Sequence, residues 1–551
     1  MALFKLVAAH PDRIHPASPP LTEKVVALSL LDATTVNFAF TNAMWMFEQP
    51  QIHTYSDFNL IHHLRQTLAV ALTAYPQWCG HLKSITSING STPEEASHLP
   101  SYARRFGRLY SHYGTSNDPG VEFIVAQSSR TLDELHPTTR MASQPLWDRH
   151  QASLKDFVPA TAIANPLQSN NPDEAGLMKP LMAIQITQLA CGGFIMAAKS
   201  THSLADITSL IHFMKDWAKI SRSTLAGDLM PSLNPIFNPA LLDVILAGGI
   251  DPDEPDPALI QQAKSLPLHR YDWWASTSSC PWPIEIPQVF KDQIHVPTGP
   301  AMPWPEWDVA APVSSYTVHL NRDQVEFLWH EASRTSSKKL SRHDAVLAHI
   351  WSCVMRARGM QNDVGPVHCD LVYGVRPTFQ LGKEFMGSPI MMVNIEIPGS
   401  DVATGTPLPP IAQRIRETIR QISRPANLVV HLYSLAYEKS PQRIWQAFLG
   451  KRHILVTTWA RAGIYELDFG LDSAIRYADG VVPDLDGNIV IKEAPPNVAS
   501  NPPGDKSSSS WTENGVDVSI HIRTEDMQRL LIDPALLPRV AKGESHPFLS
   551  L

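Results

Sequence analysis

The feature that most constrains the fold is an apolar segment that leaves a Gly-Gly turn and ends on a histidine, within residues 192–206. Its composition predicts a strand over Phe194–Thr201, paired as a hairpin with a second predicted strand, Leu181–Leu189. We expect a helix to open one residue after His202. Its apolar stripe has helical spacing and consists of Ile207, Leu210, Ile211, Met214, Trp217 and Ala218. A histidine at such a junction can have its ring held by the strand while its edge faces a cavity.

Length and composition describe a folded protein of more than one domain. The chain has 551 residues and a mass of 61.1 kDa, which is too long for one ordinary hydrophobic core. Hydrophobic residues make up 44% and charged residues 18%, as in globular proteins. The net charge is −8, and no run of Lys and Arg interleaved with aromatic residues occurs, which argues against a nucleic-acid partner.

Cysteine usage and the chain ends indicate a cytoplasmic protein. Five dispersed cysteines without a CxxC pair favour a reducing compartment and argue against a structural zinc site. The N-terminal residues do not resemble a signal peptide, and no apolar stretch is long enough to span a bilayer. The last residues lack the basic side chain of a peroxisomal address. We therefore expect a cytoplasmic protein without a membrane span.

A shift in composition divides the chain into three parts. Residues 225–312 are rich in Pro and Trp, and we interpret them as a crossover between an N-terminal domain, 1–224, and a C-terminal domain, 313–551. Two short helices, near 240–246 and 257–264, are expected to interrupt this crossover because a structureless loop of such length is rare.

Strand and helix patterns alternate in both domains, which predicts α/β (α+β) architecture with mixed sheets flanked by helices. A long buried helix is predicted to start at Ser341. Further predicted strands are Val121–Ala126, Ser315–Leu320, Val367–Val372, Ile390–Ile397, Ile454–Thr458 and Val516–Arg523, and further predicted helices are Asp57–Thr73, Pro409–Ile422 and Glu525–Leu531.

Spacing alone does not single out a catalytic histidine. Four histidines precede an aspartate by four residues: His53/Asp57, His202/Asp206, His212/Asp216 and His319/Asp323. The third pair lies inside an amphipathic helix and is more simply a solvated pair, whereas His319 also follows a strand and is the closest rival. Only His202 follows a tight hairpin and precedes a strongly periodic helix. A capping box with Ser203 as N-cap and Asp206 as its partner remains an equal alternative to catalysis.

Several segments together resemble the BAHD acyltransferase family. Residues 201–206 match its His-x-x-x-Asp motif, and residues 457–470 resemble its Ser/Thr-Trp segment at the usual distance from Asp-Phe-Gly-x-Gly. Residues 344–358 are similar to the helix that precedes two arginines in the family, and Gly387 belongs to a weaker match that begins at Gly374. The segments occur in family order, and the long crossover is more typical of fungal members.

The resemblance implies a two-domain chloramphenicol-acetyltransferase-like fold and transfer of an acyl group, with acetyl favoured, from acyl-CoA to a hydroxyl or amine of a small secondary metabolite. Acyl-CoA would be a co-substrate in a ternary complex without a covalent acyl-enzyme, and neither a permanently bound cofactor nor a metal is expected. We expect a monomer.

The resemblance also implies roles for particular residues. His202 would be the general base, and Asp206 would be a structural residue that pairs with Arg376. The remaining assignments are the oxyanion donors Trp459, Thr457 and Thr458, the structural residues Asp468 and Gly470, the CoA-binding candidates Ser341, Arg356 and Arg358, and the acceptor candidate Arg461.

One position departs from the family pattern. Asp472 replaces the second glycine of Asp-Phe-Gly-x-Gly, and an aspartate tolerates a positive φ better than most residues but at some cost. This change raises the alternative of a catalytically silent or repurposed member that binds a metabolite. A condensation-type domain is disfavoured because Thr201 and Ile207 stand where that class has a second histidine and a glycine.

Overall fold

The structure, a computed structural model, describes most of the chain. The described residues are 4–6, 12–51, 58–86, 92–152, 154–168, 172, 176–275, 280–281, 286, 298–336, 338–404, 408–496 and 510–540. His53 and Asp57, one of the four histidine–aspartate pairs, lie outside them, as do Trp282 and much of the Pro-rich stretch that follows it.

The strands of the described part are distributed along the whole chain. They are β1 Phe4–Leu6, β2 Asp12–Ile14, β3 Lys24–Ala27, β4 Thr41–Phe47, β5 His81–Ser84, β6 Leu109–Tyr113, β7 Val121–Ser128, β8 Leu146–Asp148, β9 Met182–Leu189, β10 Phe194–Ser200, β11 Tyr271–Asp272, β12 Val313–Leu320, β13 Pro366–Gly374, β14 Ile390–Pro398, β15 Ile444–Trp445, β16 His453–Thr458, β17 Ile475–Gly480, β18 Asn488–Glu493 and β19 Val516–Arg523.

The helices of the described part include six that are longer than three turns and several short ones. They are α1 Leu30–Thr34, α2 Leu60–Leu72, α3 Leu132–Leu135, α4 Arg140–Ser143, α5 Ile207–Ala226, α6 Pro257–Lys264, α7 Arg322–Ser333, α8 Arg342–Ala357, α9 Gly399–Thr404, α10 Pro409–Ile422, α11 Pro425–Tyr437 and α12 Thr524–Leu531. The predicted hairpin is confirmed as β9 and β10, and α10 has the predicted bounds.

Two seven-stranded mixed sheets form the framework. The N-sheet has the order β1-β7-β9-β10-β4-β17, with β2 beside β7, and the C-sheet has the order β14-β13-β16-β18-β19-β12-β8. β7 and β9 are parallel, as are β13, β16 and β18, and the other pairs are antiparallel. Smaller sheets, β3-β6-β5 and β11-β15, complete the fold.

The two large sheets exchange strands across the predicted domain boundaries. β17 follows the crossover in sequence but pairs with β4 in the N-sheet, and β8 precedes the crossover but pairs with β12 in the C-sheet. Composition alone cannot show such exchanges, because strand pairing depends on which edges meet in space. The division at residues 224 and 312 therefore stays a prediction, with two strand pairings that cross it.

The long helices bury their apolar faces against the sheets. On α5, Trp217 is fully buried and its indole Nε1 donates a hydrogen bond to Thr67 Oγ1 at 3.0 Å. The start of α8 has the predicted capping box, in which Ser341 and Asp344 exchange hydrogen bonds with each other's backbone N–H. Almost every residue of α8 is buried, so this helix forms the centre of the C-terminal core.

The crossover packs against the C-terminal half through its aromatic residues. The predicted short helices are present as a π-helical turn, Leu241–Ile245, and as α6. β11 pairs with β15, and the ring of Trp273 lies 5.7 Å from that of Trp445. Trp304 is buried against Phe448. This packing brings the crossover to the edge of a large cavity between the two sheets.

Candidate active site

His202 stands between the end of β10 and the start of α5. The helix begins at Ile207, so the expectation that it opens one residue after His202 is wrong. The reason is that Asp206 is the N-cap, and its side chain accepts a hydrogen bond from the Ser209 N–H at 2.9 Å. The alternative with Ser203 as N-cap is therefore also wrong, and a turn after β10 carries His202.

The imidazole of His202 is held from one side. Its Nδ1 lies 2.9 Å from Ser388 Oγ, and its ring makes an edge contact with Phe38 at a centroid distance of 5.4 Å. Burial lowers the pKa of His202 below its usual value, although the charge of Asp206 opposes this effect. A neutral imidazole near pH 7 is the form that can accept a proton.

Ser388 is positioned by a buried carboxylate that sequence reasoning missed. The backbone N–H of Ser388 donates to Asp32 Oδ1, and Asp32 also caps α1 together with Ser29. Gly387 has a φ of 139°, and a Cβ there would lie 2.9 Å from Asp32 Oδ1, so the loop requires glycine. Burial raises the pKa of Asp32 to about 6. In the sequence, only Gly387 could have indicated that another group packs closely against this loop.

Asp206 and Arg376 form the buried ion pair that the resemblance implies. The Arg376 guanidinium binds both carboxylate oxygens, with Nη2 at 3.1 Å from Oδ1. Nη2 also donates to Ser209 Oγ at 2.9 Å, and Nε donates to the Phe385 carbonyl at 3.1 Å. The pair thus joins the start of α5 to the loop that precedes Ser388.

Trp459, Thr457 and Thr458 lie at the end of β16 and line the cavity. Trp459 is 5% exposed, and a Cβ on Gly480 would lie 2.6 Å from its ring. Glycine at position 480 is therefore what allows β17 to approach the indole so closely. Thr458 Oγ1 accepts a hydrogen bond from the Ala460 N–H at 3.3 Å.

The loop after Trp459 contains two non-glycine residues with positive φ, Arg461 at 65° and Asp472 at 46°. Arg461 lines the cavity. Asp468 Oδ1 accepts a hydrogen bond from the Gly470 N–H at 2.9 Å, which closes the turn. The positive φ considered for Asp472 from its sequence position is confirmed, and the aspartate occupies a conformation that favours glycine.

The structure places the three CoA-binding candidates in contacts of the C-terminal domain. Ser341 caps α8, Arg356 Nε donates to Asp533 Oδ2 at 2.9 Å, and Arg358 is paired with Asp486 at 2.8 Å. None of them is among the described residues that line the cavity. Their assignment to CoA stays a prediction.

The other histidine–aspartate spacings form different contacts. His319, the closest rival, is buried. Its partner is Asp517 on β19 and not Asp323, and its Nδ1 lies 2.8 Å from Asp517 Oδ1. His212 Nε2 lies 3.4 Å from Asp216, which is buried and also accepts a hydrogen bond from Tyr75 at 2.6 Å. Asp216 is therefore part of the core contacts of α5 rather than a solvated group.

The cavity beside His202 has a volume of about 910 Å³ and is lined by both sheets and by the crossover. Its wall is largely apolar and includes the aromatic residues Phe38, Phe40, Trp273, Trp307, Trp445, Phe448 and Trp459. His202 and Trp459, which are far apart in sequence, line the same space. A histidine and several side chains with hydrogen-bond donors beside one cavity between the two large sheets can serve transfer of an acyl group.

Comparison with solved structures defines the class of fold. F. graminearum TRI101 in complex with coenzyme A and deoxynivalenol is similar with a TM-score of 0.61, 14% sequence identity, and coverage of 93% of this chain and 98% of that one. Vinorine synthase is similar with a TM-score of 0.52 and 16% identity, covering 96% of each chain. The protein has the two-domain α/β fold of the chloramphenicol-acetyltransferase type.

Comparison of sequences shows the family. The model of the Transferase family matches residues 113–268 and 285–529. Acyltransferase AFT15-1 of Alternaria alternata is 26% identical over 549 residues, covering 97% of both chains. Acyltransferase abl6 of Leptosphaeria maculans is 23% identical over 533 residues, covering 95% of this chain and 97% of that one. The chain belongs to this family, that of the BAHD acyltransferases, and is an acyltransferase that uses acyl-CoA as co-substrate.

Within the described part of the chain, no helix is long and apolar enough to cross a membrane.

Proposed function

We propose that the protein transfers an acetyl group from acetyl-CoA to a hydroxyl or amine of a small secondary metabolite, with His202 as general base. The observation that carries this proposal is the contact of His202 Nδ1 with Ser388 Oγ at 2.9 Å, because it engages one ring nitrogen while the ring lines the cavity. If Nδ1–H donates to Ser388, Nε2 carries the lone pair that takes the acceptor's proton.

The reaction then proceeds in a ternary complex. Nε2 of His202 removes the proton as the acceptor oxygen or nitrogen attacks the thioester carbonyl carbon. The tetrahedral intermediate collapses with cleavage of the carbon–sulfur bond, and the imidazolium returns the proton to the CoA sulfur. General base catalysis of this kind typically contributes about 10²–10⁴-fold to the rate.

The oxyanion of the intermediate requires a hydrogen-bond donor. Trp459 Nε1–H and the hydroxyls of Thr457 and Thr458 are the candidates, since all three residues line the cavity. One such donor contributes roughly 3–4 kcal/mol to stabilisation of the transition state. Arg461, at the same wall, is the candidate contact for a polar group of the acceptor.

The wall of the cavity favours an acceptor with a substantial apolar surface. The crossover contributes Trp273, Met302 and Trp307, which surround the space with apolar groups. The solved TRI101 complex with deoxynivalenol supports a small-molecule acceptor of this general kind. We further propose that the protein acts as a cytoplasmic monomer, which light scattering and cell fractionation would test.

The direct test is an assay of purified protein with acetyl-CoA and a panel of hydroxylated and aminated metabolites. Release of free CoA thiol together with an acetylated product would support the proposal, and a parallel series of longer acyl-CoA donors would test the preference for acetyl. A catalytically silent member would show no turnover with any acceptor and, in a calorimetric titration, no CoA affinity.

A further inference from the structure

A second cluster of polar side chains lies outside the catalytic cavity, where the crossover meets the C-sheet. It consists of His269 of the crossover, Asp370 of β13 and His453 of β16. His269 Nε2 lies 3.2 Å from Asp370 Oδ1, and His453 Nδ1 lies 3.2 Å from Asp370 Oδ2. One nitrogen or oxygen atom from each residue lies within 4.8 Å of the other two.

The contacts inside this cluster differ from those of an ordinary ion pair. Asp370 is completely buried, and the side chains of His453 and His269 are 2% and 12% exposed. Oδ2 of Asp370 also accepts a hydrogen bond from the Phe448 N–H at 2.9 Å. Oδ1 and His269 Nε2, by contrast, are buried without a well-directed hydrogen bond to any described residue, although they face each other. Their approach to 3.2 Å without a well-directed hydrogen bond leaves both atoms able to serve as metal ligands.

We propose that His269, Asp370 and His453 form a binding site for a divalent transition metal of the zinc class. Two imidazole nitrogens and one carboxylate oxygen are a typical ligand set for Zn²⁺, which takes a fourth ligand such as water. With metal–ligand bonds of about 2.0–2.1 Å in a tetrahedron, ligand atoms lie roughly 3.3–3.4 Å apart. The two distances of 3.2 Å run to different oxygens of Asp370, and a ligand atom from each residue lies within 4.8 Å of the other two. Side-chain rotations would therefore have to bring the ligand atoms closer together around the metal.

The surroundings hold the ligand rings in place. His269 stacks on Tyr271 with a centroid distance of 4.8 Å, and His453 stacks on His368 at 4.4 Å. Ligating histidines commonly direct their second nitrogen to a carboxylate. Glu306 Oε2 lies 4.0 Å from His453 Nε2, beyond hydrogen-bond distance, and would have to move closer to take this role. His368 Nδ1 is itself 3.0 Å from Asn394 Oδ1, so His368 has a different partner.

A metal at this position would tie the crossover to two neighbouring strands of the C-sheet. Phe448, whose N–H contacts Asp370, also lines the catalytic cavity, as does Trp273 shortly after His269. The metal would therefore fix the aromatic wall and raise the stability of the protein, without contact to His202. The inference does not depend on the proposed acyl transfer.

The test uses full-length protein stripped with a chelator and titrated with Zn²⁺ by calorimetry. We expect one tight equivalent, a higher Tm after loading, and, with Co²⁺ as a probe, visible absorption typical of a tetrahedral site. His269→Ala and Asp370→Asn should each abolish the tight equivalent. His319→Ala removes another buried histidine–aspartate contact, at 2.8 Å, and is the matched control that should retain it.

Two results would overturn the proposal. One is a folded wild-type protein that takes up no tight equivalent of Zn²⁺, and the other is unchanged binding by a folded His269→Ala variant. Either would identify the cluster as a hydrogen-bonded His–Asp–His group. Because His269 lies on the crossover rather than in a strand, His269→Ala decides the question even if Asp370→Asn does not fold.

Discussion

His202 Nδ1 and Ser388 Oγ lie 2.9 Å apart across the interface between the N-terminal and C-terminal halves of the chain. The contact joins the turn after β10 to the loop before β14. The Ser388 N–H donates a hydrogen bond to the buried Asp32. This bond fixes the backbone of Ser388 and thereby places its hydroxyl beside the imidazole.

Replacement of Ser388 by alanine should lower kcat by roughly 10-fold, because the tautomer of His202 would no longer be fixed. Loss of a hydrogen-bond acceptor also destabilises the imidazolium, so the acid limb of the kcat/KM profile should move to lower pH. Ser388→Thr retains the hydroxyl and should restore both values. An unchanged kcat and an unchanged pH profile in a folded Ser388→Ala variant would show that the contact does not position His202.

Asp206→Asn should destabilise the protein by about 3–5 kcal/mol, because it leaves the Arg376 guanidinium buried without its counter-charge. Chemical denaturation of this variant, of Arg376→Met and of the double variant measures the coupling between the two residues. We expect the double variant to be more stable than the sum of the single losses predicts. A fully active Asp206→Asn variant with wild-type stability would exclude a structural role for the pair.

Trp459→Phe tests the oxyanion donor, because it removes the indole N–H and retains most of the buried ring. We expect kcat to fall by about 10²–10³-fold with little change in KM for acetyl-CoA. Thr457→Val and Thr458→Val are the matched tests of the alternative donors, and a loss in one of these instead would reassign the role. Wild-type kcat in all three variants would rule out every donor considered.

Gly480→Ala should impair catalysis through its effect on Trp459. The new Cβ would lie 2.6 Å from the indole ring, so the ring must move away from its place in the cavity wall. We expect a lower kcat and a lower Tm. Gly227→Ala is a control for loss of stability without displacement of the indole. Gly227 ends α5 with a φ of 69°, and a Cβ there would meet open space, so this change should affect stability alone. Normal kcat in Gly480→Ala would show that the position of the indole is not critical.

The pH dependence of the free energy of unfolding should show that burial lowers the pKa of His349. Burial lowers the pKa of His349 to about 4, so the native state stays neutral where the unfolded chain takes up a proton below about pH 6.5. This histidine therefore reduces stability as the pH falls, by up to about 1.4 kcal/mol per pH unit. Asp32, with its pKa raised to about 6, acts in the opposite direction, so the comparison must be with a variant.

His349→Gln can retain a hydrogen bond to the Leu536 carbonyl, which His349 Nε2 contacts at 3.1 Å. Denaturation at several pH values between about 7 and 5 should show a flatter slope for this variant than for the wild type. Parallel slopes would mean that the pKa of His349 is the same in the native and unfolded states.

Sequence patterns predicted much of the framework. The role of His202 as general base was implied by the family resemblance and stays a prediction. The positions of the hairpin, of α10 and of the capping box of α8 could be predicted because they depend on local periodicity and on capping residues. The start of α5 was misjudged because both Ser203 and Asp206 are good N-cap residues. Asp206 is the N-cap in the structure, where it also has tertiary contacts with Arg376 and with the Gly387 carbonyl.

Contacts between distant segments could not be derived from one sequence. Asp32 and Ser388 are separated by 356 positions, and the one local signal, Gly387 beside Ser388, does not identify Asp32 as its partner. The exchange of β8 and β17 between the sheets depends on which strand edges remain open after folding. The His269, Asp370 and His453 cluster likewise has no ligand spacing in sequence. The expectation that no metal is needed rested on the family resemblance and on the lack of such spacing.

The central claim is that His202 is the general base, and His202→Ala tests it most directly. With an acceptor that the wild-type protein acetylates, the variant should fold with a similar Tm, bind CoA with unchanged affinity and lose about 10²–10⁴-fold in kcat. Retained turnover at the wild-type rate would contradict the account, whatever the outcome for Asp206, Trp459 or the proposed metal site.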